Sequence, residues 1–174
     1  MRIFLTGFMA AGKTTVGRVL ADRLGTTFVD LDAKIEKRAE SPVAEIFAAQ
    51  GESRFRELEV DCLRETGQLP DCVVACGGGT PIDESNRSWM RTHGRVVFLR
   101  ATLALVSSRL RTTTNRPLAG KAEQIAALFE ERTKAYEECD HVVDVDDQNP
   151  EELAASIEQA LSMSSRAQKE PVTG

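Results

Sequence analysis

The octapeptide Gly7-Phe8-Met9-Ala10-Ala11-Gly12-Lys13-Thr14 decides how the rest of this chain is read. An apolar run, Ile3-Phe4-Leu5, precedes it, and Val16-Gly17-Arg18-Val19-Leu20-Ala21 follows with apolar residues at helical spacing. The order is therefore strand, loop, helix, and the loop has the form G-x-x-x-x-G-K-[ST], a phosphate-binding loop in its required context. Backbone N–H groups in such a loop turn inward and cradle phosphate oxygens. The following helix presents its positive N-terminus to the same anion. The loop from Gly7 through Ala10, Ala11 and Gly12 to Lys13, Thr14 and Thr15 is thus a candidate site for nucleotide phosphates. Lys13 can reach the β- and γ-phosphates, and the Thr14 hydroxyl can ligate Mg²⁺. Ala10 and Ala11 stand where glycine would be freer, so a positive φ at either would be strained.

The whole chain sets the bounds. A length of 174 residues suits one domain with a substantial core. Hydrophobic residues at 41% and charged residues at 28% match soluble globular proteins. A net charge of −5 argues against nucleic acid as the main partner, and it requires any phosphate site to gather its cations locally. No apolar run approaches the ~20 residues a membrane span needs. The first strand begins at once, so no signal peptide is apparent. Cys62, Cys72, Cys76 and Cys139 lack metal-site pairing; Cys72 and Cys76 read as small buried thiols, which fits a reducing cytoplasm.

Along the chain, residues 2–6 form a strand, 12–24 a helix and 27–29 a second short strand. Asp30-Leu31-Asp32 leads into a helix over 33–38, for which Asp32 is a plausible N-cap. A helix begins at Ser41-Pro42 and ends at Gly51, and a charged helix covers 52–66. The runs 72–76 and 95–99 are almost wholly apolar, as expected of parallel strands buried on both faces. Weak helical character at 83–92 is followed by helices at 102–110 and 121–138, a strand at 141–145 and a helix at 150–162. Residues 111–118 break all periodicity, and the polar stretch 163–174 reads as a disordered tail. Five strands alternating with helices predict an α/β fold, a five-stranded parallel sheet with helices on both faces.

Ligands of such sheets bind at the carboxyl ends of the strands. That rule puts three loops on one edge: the phosphate loop, the Asp30/Asp32 segment, and Gly77-Gly78-Gly79. A carboxylate at Asp30 or Asp32 could hold Mg²⁺ through water or accept a proton from a hydroxyl; either could also be a cap and a solvated acid. The strand at 73–76 lacks the terminal Asp that many phosphate-loop enzymes use for metal, which leaves Asp30 as the candidate. The glycine triplet is costly in entropy and suggests backbone in close approach to a ligand. From periodicity alone, Arg56 with Glu59 reads as an exposed ion pair, and Arg132, four before Tyr136, reads no differently. Arg116-Pro117, in the longest irregular segment, suggests a loop that closes over the transferring group and excludes water.

Six segments together resemble the shikimate kinase family over about residues 1–160: GFMAAGKTT at 7–15, VDLDAKIE at 29–36, GESRFRELE at 51–59, CGGGTP at 76–81, NRPL at 115–118 and ERTKAY at 131–136. The resemblance implies a P-loop fold like that of nucleoside-monophosphate kinases. It implies one domain over 1–162, with a substrate-binding region near 31–60 and a lid near 111–122. The implied activity is phosphorylation of the 3-hydroxyl of shikimate by ATP with Mg²⁺, in aromatic amino-acid biosynthesis, by a cytoplasmic monomer without nucleic-acid or membrane partners. By the same resemblance, Lys13 and Thr14 hold the ATP phosphates and Mg²⁺, and Asp30 is the metal-side acid. Asp32 bonds the shikimate hydroxyls as base or positioner, Arg56 and Arg132 grip its carboxylate, and Gly78 and Gly79 lie close to its ring. Arg116 is the lid arginine that reaches the phosphates. Arg111, or else Arg109, lies along the adenine, with Gln148 and Pro150 closing the other side. Ala10 departs from the glycine common at its position. Rival readings are another small-metabolite kinase, such as a gluconate-kinase-like enzyme, or a nucleotide-binding switch without phosphoryl transfer.

Overall fold

The structure, a computed structural model, describes residues 1–114, 122–146 and 148–167. Five strands, β1 (Arg2–Thr6), β2 (Thr27–Asp30), β3 (Cys72–Ala75), β4 (Arg95–Arg100) and β5 (His141–Asp144), form one sheet in the order β2-β3-β1-β4-β5. Every pairing is parallel. Seven α-helices accompany it: α1 (Lys13–Leu24), α2 (Leu31–Ala39), α3 (Val43–Glu65), α4 (Glu84–His93), α5 (Leu103–Thr114), α6 (Ala122–Glu137) and α7 (Pro150–Ala167). The expected α/β architecture is present.

Alternation in β1 shows how the sheet is covered. Ile3 and Leu5 face a cluster built with Val16 and Leu20 of α1, Val106 of α5, Tyr136 of α6 and Leu153 and Ile157 of α7. Phe4 faces the opposite cluster, with Leu31 and Ile35 of α2, Phe55, Leu58 and Leu63 of α3 and Met90 of α4. Successive strand residues point to opposite faces, so a central strand must be apolar throughout. Each fully buried large apolar side chain contributes about 1.5–3 kcal/mol. Cys72 and Cys76 are buried as small thiols within this core.

Three boundaries differ from the sequence reading. The helices expected on either side of Gly51 join as α3, but Gly51 has φ 80° and ψ 172°, so the kink is real. Helix α5 continues through Thr114, where polar residues had suggested irregular chain. Helix α7 continues to Ala167, so residues 163–167 are helical rather than tail. In both cases the helix outruns its apolar stripe, and backbone hydrogen bonding continues where side-chain patterning has stopped. Among the described residues no helix is long and apolar enough to cross a membrane.

Candidate active site

Strand β1 delivers its carboxyl end to the loop Gly7–Gly12, and α1 departs from it. Ala11 N–H donates to Phe8 O at 3.2 Å and tightens the turn. Gly12 is the N-cap of α1, in left-handed backbone with φ 99°. Ala10 also has positive φ, 60°, in the region where an L-residue is strained by about 1–2 kcal/mol. Its carbonyl accepts from Arg109 Nη1 at 2.9 Å, which ties the strained turn to α5. Lys13 Nζ donates to the carbonyls of Gly7 (2.8 Å) and Phe8 (2.9 Å). Burial lowers its pKa to about 8, against the opposing pull of Cys76, Asp32 and Asp30. The ammonium is thus held at the loop in surroundings that favour any added negative charge.

Thr14 Oγ1 donates to Asp30 Oδ2 at 2.7 Å, and Asp30 Oδ1 accepts from Ala33 N–H at 3.2 Å. Asp30, not Asp32, is therefore the N-cap of α2. The strand runs one residue further than its apolar pattern, and the cap moves back with the helix start. This frees Asp32, in the first turn, from a structural duty. Asp32 opens toward the cleft, and its pKa is raised by desolvation first, then by the Asp30 and Glu59 carboxylates.

The glycine triplet follows β3 and enters a short 3₁₀ turn at Thr80–Ile82. A Cβ on Gly77 would stand 2.7 Å from Asp32 Oδ1 and 3.1 Å from Glu59 Oε1. One on Gly79 would stand 2.8 Å from Arg56 Cζ. One on Gly78 would stand 3.5 Å from Arg132 Nη1 and 3.8 Å from the Met9 amide nitrogen. The triplet thus brings Asp32, Arg56, Arg132 and the phosphate loop to one turn. The glycines at 77 and 79 make room for the site's own side chains, a reason that composition did not suggest.

Arg56 Nη1 donates to Glu59 Oε2 at 2.7 Å and Nη2 to Glu52 Oε1 at 3.1 Å. Glu59 is not on the surface: it is 1% exposed, and Thr80 Oγ1 donates to its Oε1 at 2.6 Å. The Arg56 side chain is 32% exposed, so it is the buried carboxylate of Glu59 that would be left short of a partner, at a cost in stability, if the guanidinium were removed. A signal for its burial existed, since Phe55, Glu59, Cys62 and Leu63 recur at helical spacing on the apolar stripe of α3.

A cavity of about 500 Å³ joins the phosphate loop to this turn, with Lys13, Thr14, Asp30, Asp32 and Gly78 on its wall. Thr15 opens both to it and to a second cavity of about 400 Å³, bounded by Ala10, Ala11, Gly12, Arg109, Gln148 and Pro150. Arg111, the preferred adenine contact in the sequence reading, is not on this second wall. It lies exposed on α5 and donates to Ser107 O at 3.3 Å. Arg109 lines this wall, since residues two apart on a helix point apart. Asn149 caps α7, accepting from the N–H groups of Glu151 and Glu152 at 3.0 Å each, while Glu152 Oε2 accepts from Asn149 N–H at 3.0 Å. This capping box holds Gln148 and Pro150 at the cavity rim. Arg116 and residues 115–121 of the expected lid lie outside the described residues. Among the described residues no group of three or more His, Cys, Asp or Glu side chains could hold a metal.

The family model described as "Shikimate kinase" matches residues 9–162. A shikimate kinase of Salinibacter ruber is 40% identical, over 98% of this chain and 87% of its own length. The crystal structure of shikimate kinase from Aquifex aeolicus superposes with a TM-score of 0.87 at 34% identity, covering 95% of this chain and 98% of that one. Shikimate kinase from Acinetobacter baumannii, solved in complex with shikimate, gives 0.86 at 33% identity, covering 94% and 93%. A phosphate loop joined to an acid, two arginines and a glycine turn, under matches of this extent, leaves one conclusion: the chain belongs to the shikimate kinase family, and it is an ATP-dependent kinase.

Proposed function

We propose that this enzyme transfers the γ-phosphoryl group of ATP to the 3-hydroxyl of shikimate through a cleft with a donor half and an acceptor half. The observation that carries the reading is the convergence of Asp32, Arg56 and Arg132 on one glycine turn beside the phosphate loop. Two guanidinium groups suit a planar carboxylate, and an acid between them and the loop suits an adjacent hydroxyl. Shikimate carries both groups on one small ring.

In the donor half, loop amides and Lys13 hold the ATP phosphates, and Arg109, Gln148 and Pro150 flank the adenine. Thr14 Oγ1 and Asp30 Oδ2, hard oxygen donors 2.7 Å apart at the cavity wall, fit Mg²⁺ shared with phosphate oxygens. The chemistry Mg²⁺ supplies when bound there is neutralisation of phosphate charge. Phosphoryl transfer needs positioning and charge stabilisation more than covalent chemistry. Asp32 orients the acceptor hydroxyl and takes its proton, a role its raised pKa suits. Arg116 is proposed to close over the phosphates from the lid. The soluble composition suits a cytoplasmic monomer.

The test is ADP release from MgATP with shikimate, gluconate or AMP as acceptor. Release is expected with shikimate alone. No shikimate-dependent release, or a stronger response to gluconate, would overturn the reading.

A further inference from the structure

The acceptor half contains a hydroxyl that the mechanism above does not use. Tyr136 lies four residues after Arg132, one turn along α6, and is the chain's single tyrosine. Its ring is 2% exposed and packs against Phe98 of β4 with centroids 5.3 Å apart. Its hydroxyl donates to Gly78 O at 2.6 Å, a short bond, and the Arg132 guanidinium lies beside the same residue: a Cβ on Gly78 would stand 3.8 Å from the hydroxyl and 3.5 Å from Arg132 Nη1. A buried hydroxyl must find partners, but a solvent-facing rotamer is denied to this one by the ring's packing. The consequence is that one oxygen pins α6, the helix that carries the arginine, to the middle residue of the glycine turn. Burial then raises the hydroxyl's pKa to about 12, so it stays a donor throughout the working range.

We propose that Tyr136 is a positioning residue of the acceptor half: its hydroxyl ties α6, which carries Arg132 one turn earlier, to Gly78 in the glycine turn and so sets the span into which the substrate carboxylate fits. The proposal rests on the acceptor reading given above. Arg132 comes from a helix that follows the expected lid segment, whereas Gly78 comes from the sheet edge. Nothing in the sequence between them fixes their separation. The Gly78 peptide also lies near the Met9 amide of the phosphate loop, so the same bond keeps the acceptor wall in register with the donor wall. Fixing the helix that carries Arg132 against the turn in advance removes part of the ordering cost of binding an anion.

Tyr136→Phe deletes the hydroxyl and keeps the ring against Phe98. We expect the KM for shikimate to rise about tenfold, the upper end for loss of one intramolecular hydrogen bond. The KM for ATP and kcat should stay within about twofold, the pattern for loss of uniform binding to one substrate. An unchanged shikimate KM, or an equal rise in both KM values, would overturn the proposal. A second measurement needs no variant. With tyrosine ¹³C-labelled at Cζ, the single tyrosine gives one resonance, which should shift on adding shikimate and stay in place on adding ADP. No shift with saturating shikimate would refute the role even if Tyr136→Phe failed to fold. Wild-type ADP release is run alongside: its failure with shikimate sinks the function itself, whereas an active wild type with an indifferent Tyr136→Phe sinks only the positioning role.

Discussion

The two halves of the cleft are built on opposite plans. The phosphate seat of the proposed donor half is one continuous segment, residues 7–15, and it relies on amides, a helix terminus and a single lysine, while Asp30 and the adenine flank of Arg109, Gln148 and Pro150 come from elsewhere. The proposed acceptor half draws on α2, α3, the turn after β3 and α6, spanning Asp32 to Arg132, and would work through side chains. Local construction tolerates drift elsewhere in the protein. Distributed construction depends on packing at every contributor, so small changes in volume reach the substrate.

Three experiments bear on that difference, and the largest effect belongs to Asp32. Asp32→Asn should lower kcat about a hundredfold or more, as for loss of a general base, with the ATP KM little changed. The raised pKa of Asp32 places the acid limb of kcat/KM above the range of an ordinary aspartate, with activity rising as the carboxylate forms. The stability sign is opposite. An acid whose pKa is raised on folding favours the native state below its unfolded pKa, and that contribution is lost as pH rises through the folded value. At neutral pH Asp32→Asn should therefore melt at or above the wild-type temperature while losing turnover; a lower Tm would give Asp32 a structural role.

Gly79→Ala comes next. Its added Cβ would meet the Arg56 guanidinium, 2.8 Å from Cζ, and displace it from Glu59 or from the substrate. The shikimate KM should rise about tenfold, the scale of one disturbed charge-assisted contact, and the ATP KM should not follow. Equal change in both would mean that the halves are not separable. The smallest effect is expected at Ala10. Ala10→Gly relieves positive-φ strain but adds unfolded-state entropy, so thermal or denaturant unfolding should show a net gain of no more than about 1 kcal/mol. A clear loss of stability would mean that the alanine methyl packs usefully.

The division also explains what could be read in advance. Strand, loop and helix around residues 2–24 are visible because their hydrogen bonds and spacing are local. The apolar runs at 72–75 and 95–100 announce buried parallel strands for the same reason. Arg56 and Arg132, by contrast, have the spacing of surface pairs, and only the resemblance to a family selected them. Asp32 looked like the helix cap because the apolar pattern of β2 stops at Val29, one residue before the strand ends at Asp30, which takes the cap itself. Arg109 and Arg111 both sit on α5, and which one faces the cavity depends on the rotation of that helix over the sheet.

The sequence alone determined a parallel α/β sheet and a phosphate loop at its carboxyl edge, because period, glycine spacing and the lysine act within a few residues. Tertiary structure decided that the glycine triplet is a seat for Asp32 and Arg56, that Glu59 is buried beneath it, and that Arg109 braces the strained turn at Ala10. Those outcomes depend on contacts between residues distant in the chain. Their distances are set by how two helical layers pack on the sheet, a quantity no local pattern carries.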